Sequence, residues 1–280
     1  MRTSVIVLSA VAVCQMAVAD VTVVNPNGML EASSVSELQE KVESSGAGGL
    51  VLGNGMLKWT GTGTSVWNGT YTSAPVSNLE VTVNVTDPDA TLKIAGAAVA
   101  QTDGVFLKSG PGPAEFNGGG VLGAVTGSTP WDAGWWKTYD GAPSATFQAG
   151  LPVWDETTGI VSGRGYSTFS VLEGTLRLNA PGKTFNIPTT PWVGGRLQTT
   201  PRWEITNHTA AVSGSGVFSI ARGTGTKTNT EAPVVSITDG GSLSVGALSM
   251  GYSHGDANHY SRARLELDHG TFTTPGNIDQ

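Results

Sequence analysis

Apolar and polar residues alternate in short bursts along this chain, and each burst follows a glycine or a tight polar turn. Five stretches show it: Gly55-Met56-Leu57-Lys58-Trp59, Ala90-Thr91-Leu92-Lys93-Ile94, Gly174-Thr175-Leu176-Arg177-Leu178, Gly241-Ser242-Leu243-Ser244-Val245 and Arg264-Leu265-Glu266-Leu267, with Gly270 just beyond the last. Successive side chains of an extended backbone point to opposite faces, so each burst predicts a short strand, buried on one side and wet on the other. Repetition of that unit predicts stacked coils rather than a globule folded around one site.

Ahead of the first burst, Val21-Thr22-Val23-Val24 reads as a strand ended by the turn cluster Asn25-Pro26-Asn27-Gly28. A helix follows over residues 34–43, because Ser34 and Glu37 have capping-box spacing while Val35, Leu38 and Val42 share one face. Standing before so many strands, it is expected to plug the open end of the stack. Strand candidates then run over 50–52, 56–59, 79–85, 91–94, 105–107 and 121–122. Gly, Pro, Asn or Asp separates them about every dozen residues, the spacing of an all-β chain. Residues 127–165 break the rhythm with an irregular insert that holds Trp131, Trp135, Trp136, Tyr139 and Trp154. Long structured insertions are where binding tends to sit.

Composition narrows the classes. Glycine supplies 39 of the 280 residues and proline 14, less than low-complexity disorder requires, so the excess is turn punctuation. With 39% apolar and 13% charged residues the chain can fill a core. A formal charge of −7 without a basic cluster excludes a nucleic-acid footprint, so no nucleic-acid partner is expected. Residues 1–19 read as a secretory signal: Arg2, an apolar run from Val5 to Val13, then Ala17-Val18-Ala19 as a small-x-small cleavage site. That run is too short to span a bilayer, and no later one is longer, so no membrane-spanning segment is expected. The single cysteine, Cys14, lies inside the signal and leaves the mature chain without a disulfide.

Candidate chemistry is sparse. Asp87 and Asp89, or Asp155 and Glu156, could serve as the paired carboxylates of a glycan-cleaving enzyme, but Asp87-Pro88-Asp89 reads more simply as a turn between two strands. His254, Asp256, His259, Asp268 and His269 lack a compact ligand spacing, and no metal site is expected from them. Arg222-Gly223-Thr224-Gly225-Thr226 lacks the Lys and helix of a phosphate loop, no nucleophile elbow is present, and no cofactor is expected. The aromatic cluster Trp131, Trp135, Trp136, Tyr139 and Trp154 is the candidate ligand-binding site, either stacking on sugar faces or folding inward as a private core for the insert.

Two windows carry a resemblance. Gly49-Leu50-Val51-Leu52-Gly53-Asn54-Gly55-Met56-Leu57-Lys58-Trp59 with the later rungs at 90–96 and 104–112, and Phe169-Ser170-Val171-Leu172-Glu173-Gly174-Thr175-Leu176-Arg177-Leu178, resemble the autotransporter-associated β-strand repeat of bacterial autotransporter passengers. The resemblance implies a right-handed parallel β-helix displayed outside the cell, usually without enzymatic activity in the repeat. Two departures stand out. Pro113-Ala114-Glu115-Phe116 replaces the family's Thr-Leu-x-Leu, so that rung is expected to be bulged or broken. No translocator barrel and no capping unit precede Gln280, so the chain is expected to be C-terminally incomplete.

The expected organisation is thus a signal peptide at 1–19, an N-terminal strand and capping helix at 20–48, and a β-helix at 49–280 interrupted at about 127–165. The expected function is an exported structural or adhesin-like surface passenger, secreted or held at the outer cell surface, whose partner would be a polysaccharide or a host or cell-surface glycan. A polysaccharide lyase or glycoside hydrolase on the same fold, and a carbohydrate-binding module, are the competing expectations.

Overall fold

In the computed structural model the bursts become rungs on three parallel sheets, and the chain visits the sheets in rotation. The structure describes residues 22–25, 28–53, 55–73, 80–100, 105–123, 153–155, 160–162, 169–188, 191–194, 200–221, 232–251 and 262–279. Sheet A has nine strands, in spatial order Met29–Ala32, Gly55–Trp59, Glu80–Val85, Val105–Ser109, Phe169–Val171, Pro191–Val193, Val217–Ile220, Ala247–Met250 and Ile278–Asp279. Sheet C has seven: Thr64–Trp67, Thr91–Ile94, Ala114–Phe116, Thr175–Leu178, Arg202–Ile205, Val234–Thr238 and Arg264–Asp268. Sheet B has eight: Leu50–Leu52, Tyr71–Ser73, Ala98–Ala100, Gly120–Val121, Thr184–Ile187, Ala210–Ser213, Ser242–Ser244 and Thr271–Thr273. From Gly55 onward the chain contributes one strand to A, then C, then B in each full turn, and every strand pairing between successive turns is parallel; this is a parallel β-helix.

The repeated pattern marks rungs, not one face. Leu57 and Trp59 point inward from sheet A, Leu176 and Leu178 from sheet C, and Leu243 from sheet B, and all are buried. Because the ladders are in register, like side chains stack from coil to coil: Trp67, Ile94, Phe116, Leu178, Ile205 and Ile237 form one inward row of sheet C. Rings extend this into an aromatic spine. Tyr71 meets Phe116 edge-on at 5.3 Å, Phe106 stacks on Phe169 at 5.4 Å, Phe169 lies 5.3 Å from Trp203, and Trp203 meets Phe218 edge-on at 5.7 Å. Each fully buried apolar side chain of this kind is worth about 1.5–3 kcal/mol over exposure.

The helix spans Val35–Ser45 and occupies the place where later coils carry a sheet C strand, between a strand of sheet A and one of sheet B. Leu38 and Val42 are buried beneath it, so it closes one end of the stack as a cap. Ser34 accepts from the Glu37 N–H at 3.1 Å, as the capping spacing requires, but the Glu37 carboxylate reaches past the cap residue and accepts from the Ser33 N–H at 2.8 Å. Gly46, at φ 73°, ends the helix in the left-handed region that a side chain resists.

Two local expectations are corrected. No strand forms among residues 22–25; the first among the described residues is Met29–Ala32, facing Met56–Trp59 of the next coil. Val24 donates its N–H to the Val51 carbonyl, while the Asn25 side chain accepts from the Gly53 N–H and fixes the approach as a turn. Nor does Pro113 break its rung. Ala114–Phe116 pairs with both neighbours in register, because Pro113 sits just before the strand and contributes its carbonyl, which accepts from the Leu92 N–H.

The insert leaves between Val121 and Phe169, yet Phe106 faces Phe169 directly in sheet A, as Glu115 faces Arg177 in sheet C. The coils on either side therefore stack as if it were absent. Within the insert, Val153–Asp155 and Ile160–Ser162 form an antiparallel pair.

Candidate functional site

The outward face of sheet C gathers most of the ion pairs among the described residues. In-register stacking puts Lys93, Glu115, Arg177, Glu204, Ser236 and Glu266 in one outward row, with Arg202 and Arg264 in the row beside it. The charges alternate and close on one another: Lys93 to Glu115 at 3.3 Å, Glu115 to Arg177 at 3.4 Å, Arg177 to Glu204 at 2.6 Å, Glu204 to Arg202 at 2.7 Å, Arg202 to Glu266 at 2.9 Å, and Glu266 to Arg264 at 3.1 Å. Arg202 spans the intervening strand, where the short, buried Ser236 leaves it room.

Glu115 anchors this ladder. Its side chain is only 2% exposed although it points outward, and it accepts from the Asn117 and Asn179 amides at 2.8 and 3.1 Å. Burial works against its charge, yet those hydrogen bonds and the neighbouring Lys93 ammonium outweigh it and hold the carboxyl below its ordinary range. At Glu266 burial is likewise outweighed by Arg202 and Arg264.

The second concentration of chemistry is inside. Alternation along Val105–Ser109 puts Lys108 in the inward row of sheet A, between Val83 of one coil and Val171 of the next, and it is fully buried. Its ammonium donates to the carbonyls of Ser109 at 2.6 Å, Gly110 at 2.8 Å and Glu173 at 3.2 Å, tying the two coils that flank the insert. Burial pushes its pKa down to about 7, with the Glu173 charge opposing in part. Gly174 completes this corner at φ 62°, and a Cβ there would run into the Gly110 and Pro111 backbone.

The candidate ligand site fares differently. Trp131, Trp135, Trp136 and Tyr139 lie outside the described residues, and of Trp154 only the backbone is placed, in the strand Val153–Asp155. Glu156, His254, Asp256 and His259 also lie outside them, as does the Asp155 side chain. Asp87 is a turn residue: its carboxylate accepts from the Asp89 N–H at 2.9 Å. Asp268 and His269 meet at 2.7 Å on the surface, and no cluster of three or more potential metal ligands occurs among the described residues.

Neither the ladder nor Lys108 was expected from the sequence. The signal for Lys108 was present, since Phe106 and Lys108 share alternation parity. The ladder was written in the polar residue between two apolar ones, as in Leu92-Lys93-Ile94 and Leu176-Arg177-Leu178, but its closure depends on which rungs are neighbours.

Compared with protein-family models, curated proteins and solved structures, the chain matches none of them. Among the described residues no helix is long and apolar enough to cross a membrane.

Proposed function

We propose that this chain is an exported structural solenoid, a passenger or adhesin-like stalk that works by spacing and display and not by catalysis. The observation that carries the reading is the sheet C ladder. A surface whose charged side chains neutralise one another from rung to rung ties neighbouring coils together, and on this face Glu115, Glu204 and Glu266 are each committed to cationic neighbours. The export pattern at residues 1–19 and the resemblance of the two repeat windows to autotransporter passengers support placement outside the cell. The test is fractionation of cells producing the chain with and without residues 1–19: surface labelling and protease access are expected only with them, and a chain retained in the cytoplasm in both forms would refute the reading.

A second reading, glycan binding through the insert, is favoured by its position. The sheet A strands that flank it in sequence, Val105–Ser109 and Phe169–Val171, face one another directly, so the stack is continuous on either side of it. Replacing Trp135 and Trp136 with Ala is expected to abolish retardation on polysaccharide affinity gels; unchanged retardation on a broad panel would end it.

A further inference from the structure

Three Asn-x-Thr triplets occur along the chain, at Asn68-Gly69-Thr70, Asn84-Val85-Thr86 and Asn207-His208-Thr209. That spacing, with any residue but proline in the middle, is the acceptor pattern for an N-linked sugar, which is bulky and needs the surface. The fold sorts the three. Asn84 lies within the strand Glu80–Val85, 6% exposed, and its amide donates to the Ser109 hydroxyl at 3.1 Å. Asn207 is exposed, but its amide donates to the Asn179 side chain at 3.2 Å, and Thr209 is fully buried with its hydroxyl accepting from the Ala180 N–H at 2.7 Å.

Asn68-Gly69-Thr70 differs in each respect. It forms the corner between the strands Thr64–Trp67 of sheet C and Tyr71–Ser73 of sheet B, and Asn68 and Thr70 are both exposed. The corner is held from within: Trp67 and Tyr71 on either side are buried, and the Trp67 indole N–H donates to the Thr70 carbonyl at 3.1 Å. The indole also lies over Gly69, where a Cβ would come within 2.8 Å of the ring. At the same register position in later coils, Asn117 and Asn179 commit their amides to Glu115. The Asn68 amide and the Thr70 hydroxyl, by contrast, make no hydrogen bond among the described residues.

We propose that Asn68 is an acceptor site for N-linked glycosylation of the folded chain, and that Asn84 and Asn207 are not. The co-reactant is a sugar activated as a glycosyl diphosphate. The Asn68 Nδ2 forms a bond to the anomeric carbon as the bond from that carbon to the diphosphate oxygen breaks. One amide proton passes to a base on the transferase, and the diphosphate leaves with its electron pair. The Thr70 hydroxyl, two residues on, is the group that marks Asn68 to the transferase.

Incubating the purified chain with a soluble N-glycosyltransferase that reads Asn-x-Thr, and with a nucleoside diphosphate hexose, tests this by peptide mass spectrometry. Circular dichroism confirms that each variant is folded. Hexose is expected at Asn68 alone. Asn68→Gln and Thr70→Ala are each expected to abolish incorporation, and Thr70→Ser to keep it, since the pattern accepts either hydroxyl. Because the sugar donor is supplied in solution, the outcome does not depend on export, and a failure here is distinct from a failure of the fractionation test. A folded chain that takes no sugar, sugar on Asn84 or Asn207, or incorporation unchanged in Thr70→Ala would each overturn the proposal.

Discussion

Sheets B and C enclose the same interior but meet water differently. The outward rows of sheet C carry Lys93, Glu115, Arg177, Glu204 and Glu266, whose long side chains bridge neighbouring coils. The matching outward row of sheet B reads Val51, Thr72, Val99, Val121, Asn186, Val212, Ser244 and Thr273, short and without a charge. Among the described residues no ion pair joins coils across the outward face of sheet B, while those on sheet C are joined a second time by charged side chains. The comparison separates what makes the fold, the inward rows common to both, from what reinforces one face of it.

If that division is right, inward substitutions must cost alike on both sheets. Phe185→Ala on sheet B and Trp203→Ala on sheet C, both fully buried, are expected to lose about 3–5 kcal/mol each in urea unfolding. A cost confined to one sheet would show that the interior is not shared.

Among the described residues Lys108 is a charged exception in the interior, and pH exposes it. Unfolded, Lys108 titrates near the ordinary lysine value of 10.5; folded, near 7. Between the two the unfolded chain holds a proton that the folded chain has released, so this group makes stability rise with pH across that window. Relative to Lys108→Met, the parent chain is expected to gain roughly 3–5 kcal/mol between pH 7 and 10. Parallel pH profiles of the two proteins would contradict the buried placement.

Outward changes should separate the sheets. Glu115→Ala removes a carboxylate with two amide donors and two cationic neighbours, and is expected to cost about 2 kcal/mol. That loss should fade in acid: the folded carboxyl lies below its usual range, so its contribution is complete above the unfolded value and disappears as pH falls through the folded one. Val99→Ser and Val212→Ser on sheet B should change stability by less than about 0.5 kcal/mol. Equal effects from Glu115→Ala and Val99→Ser in thermal unfolding would erase the contrast between the faces.

The rungs, the helix and the interruption were legible because each is encoded locally: alternation for strands, Ser34 with Glu37 for the cap, and tryptophan crowding for the insert. The first strand escaped notice because Met29-Leu30-Glu31-Ala32 buries only Leu30 and Ala32, too little apolar contrast to mark a rung. Pro113 misled for a related reason, since one residue decides whether a proline interrupts a ladder or introduces it. The charged ladder could not be read in advance, because Glu115 and Arg177 become neighbours only once the insert between them is set aside. Of the aromatic residues singled out for binding, the structure places only the backbone of Trp154.

The central claim is that the coils stack in register straight past the insert, and distances along one outward row test it most directly. Along sheet B, Val99 and Val212 are separated by three strand steps and Val99 and Thr273 by five. At about 4.8 Å per step, spin labels at the first pair should lie roughly 14 Å apart and at the second roughly 24 Å. Distances that grow in this ratio would establish the continuous stack. A Val99 to Val212 distance lengthened beyond the Val99 to Thr273 one, or no regular increase between the pairs, would contradict it.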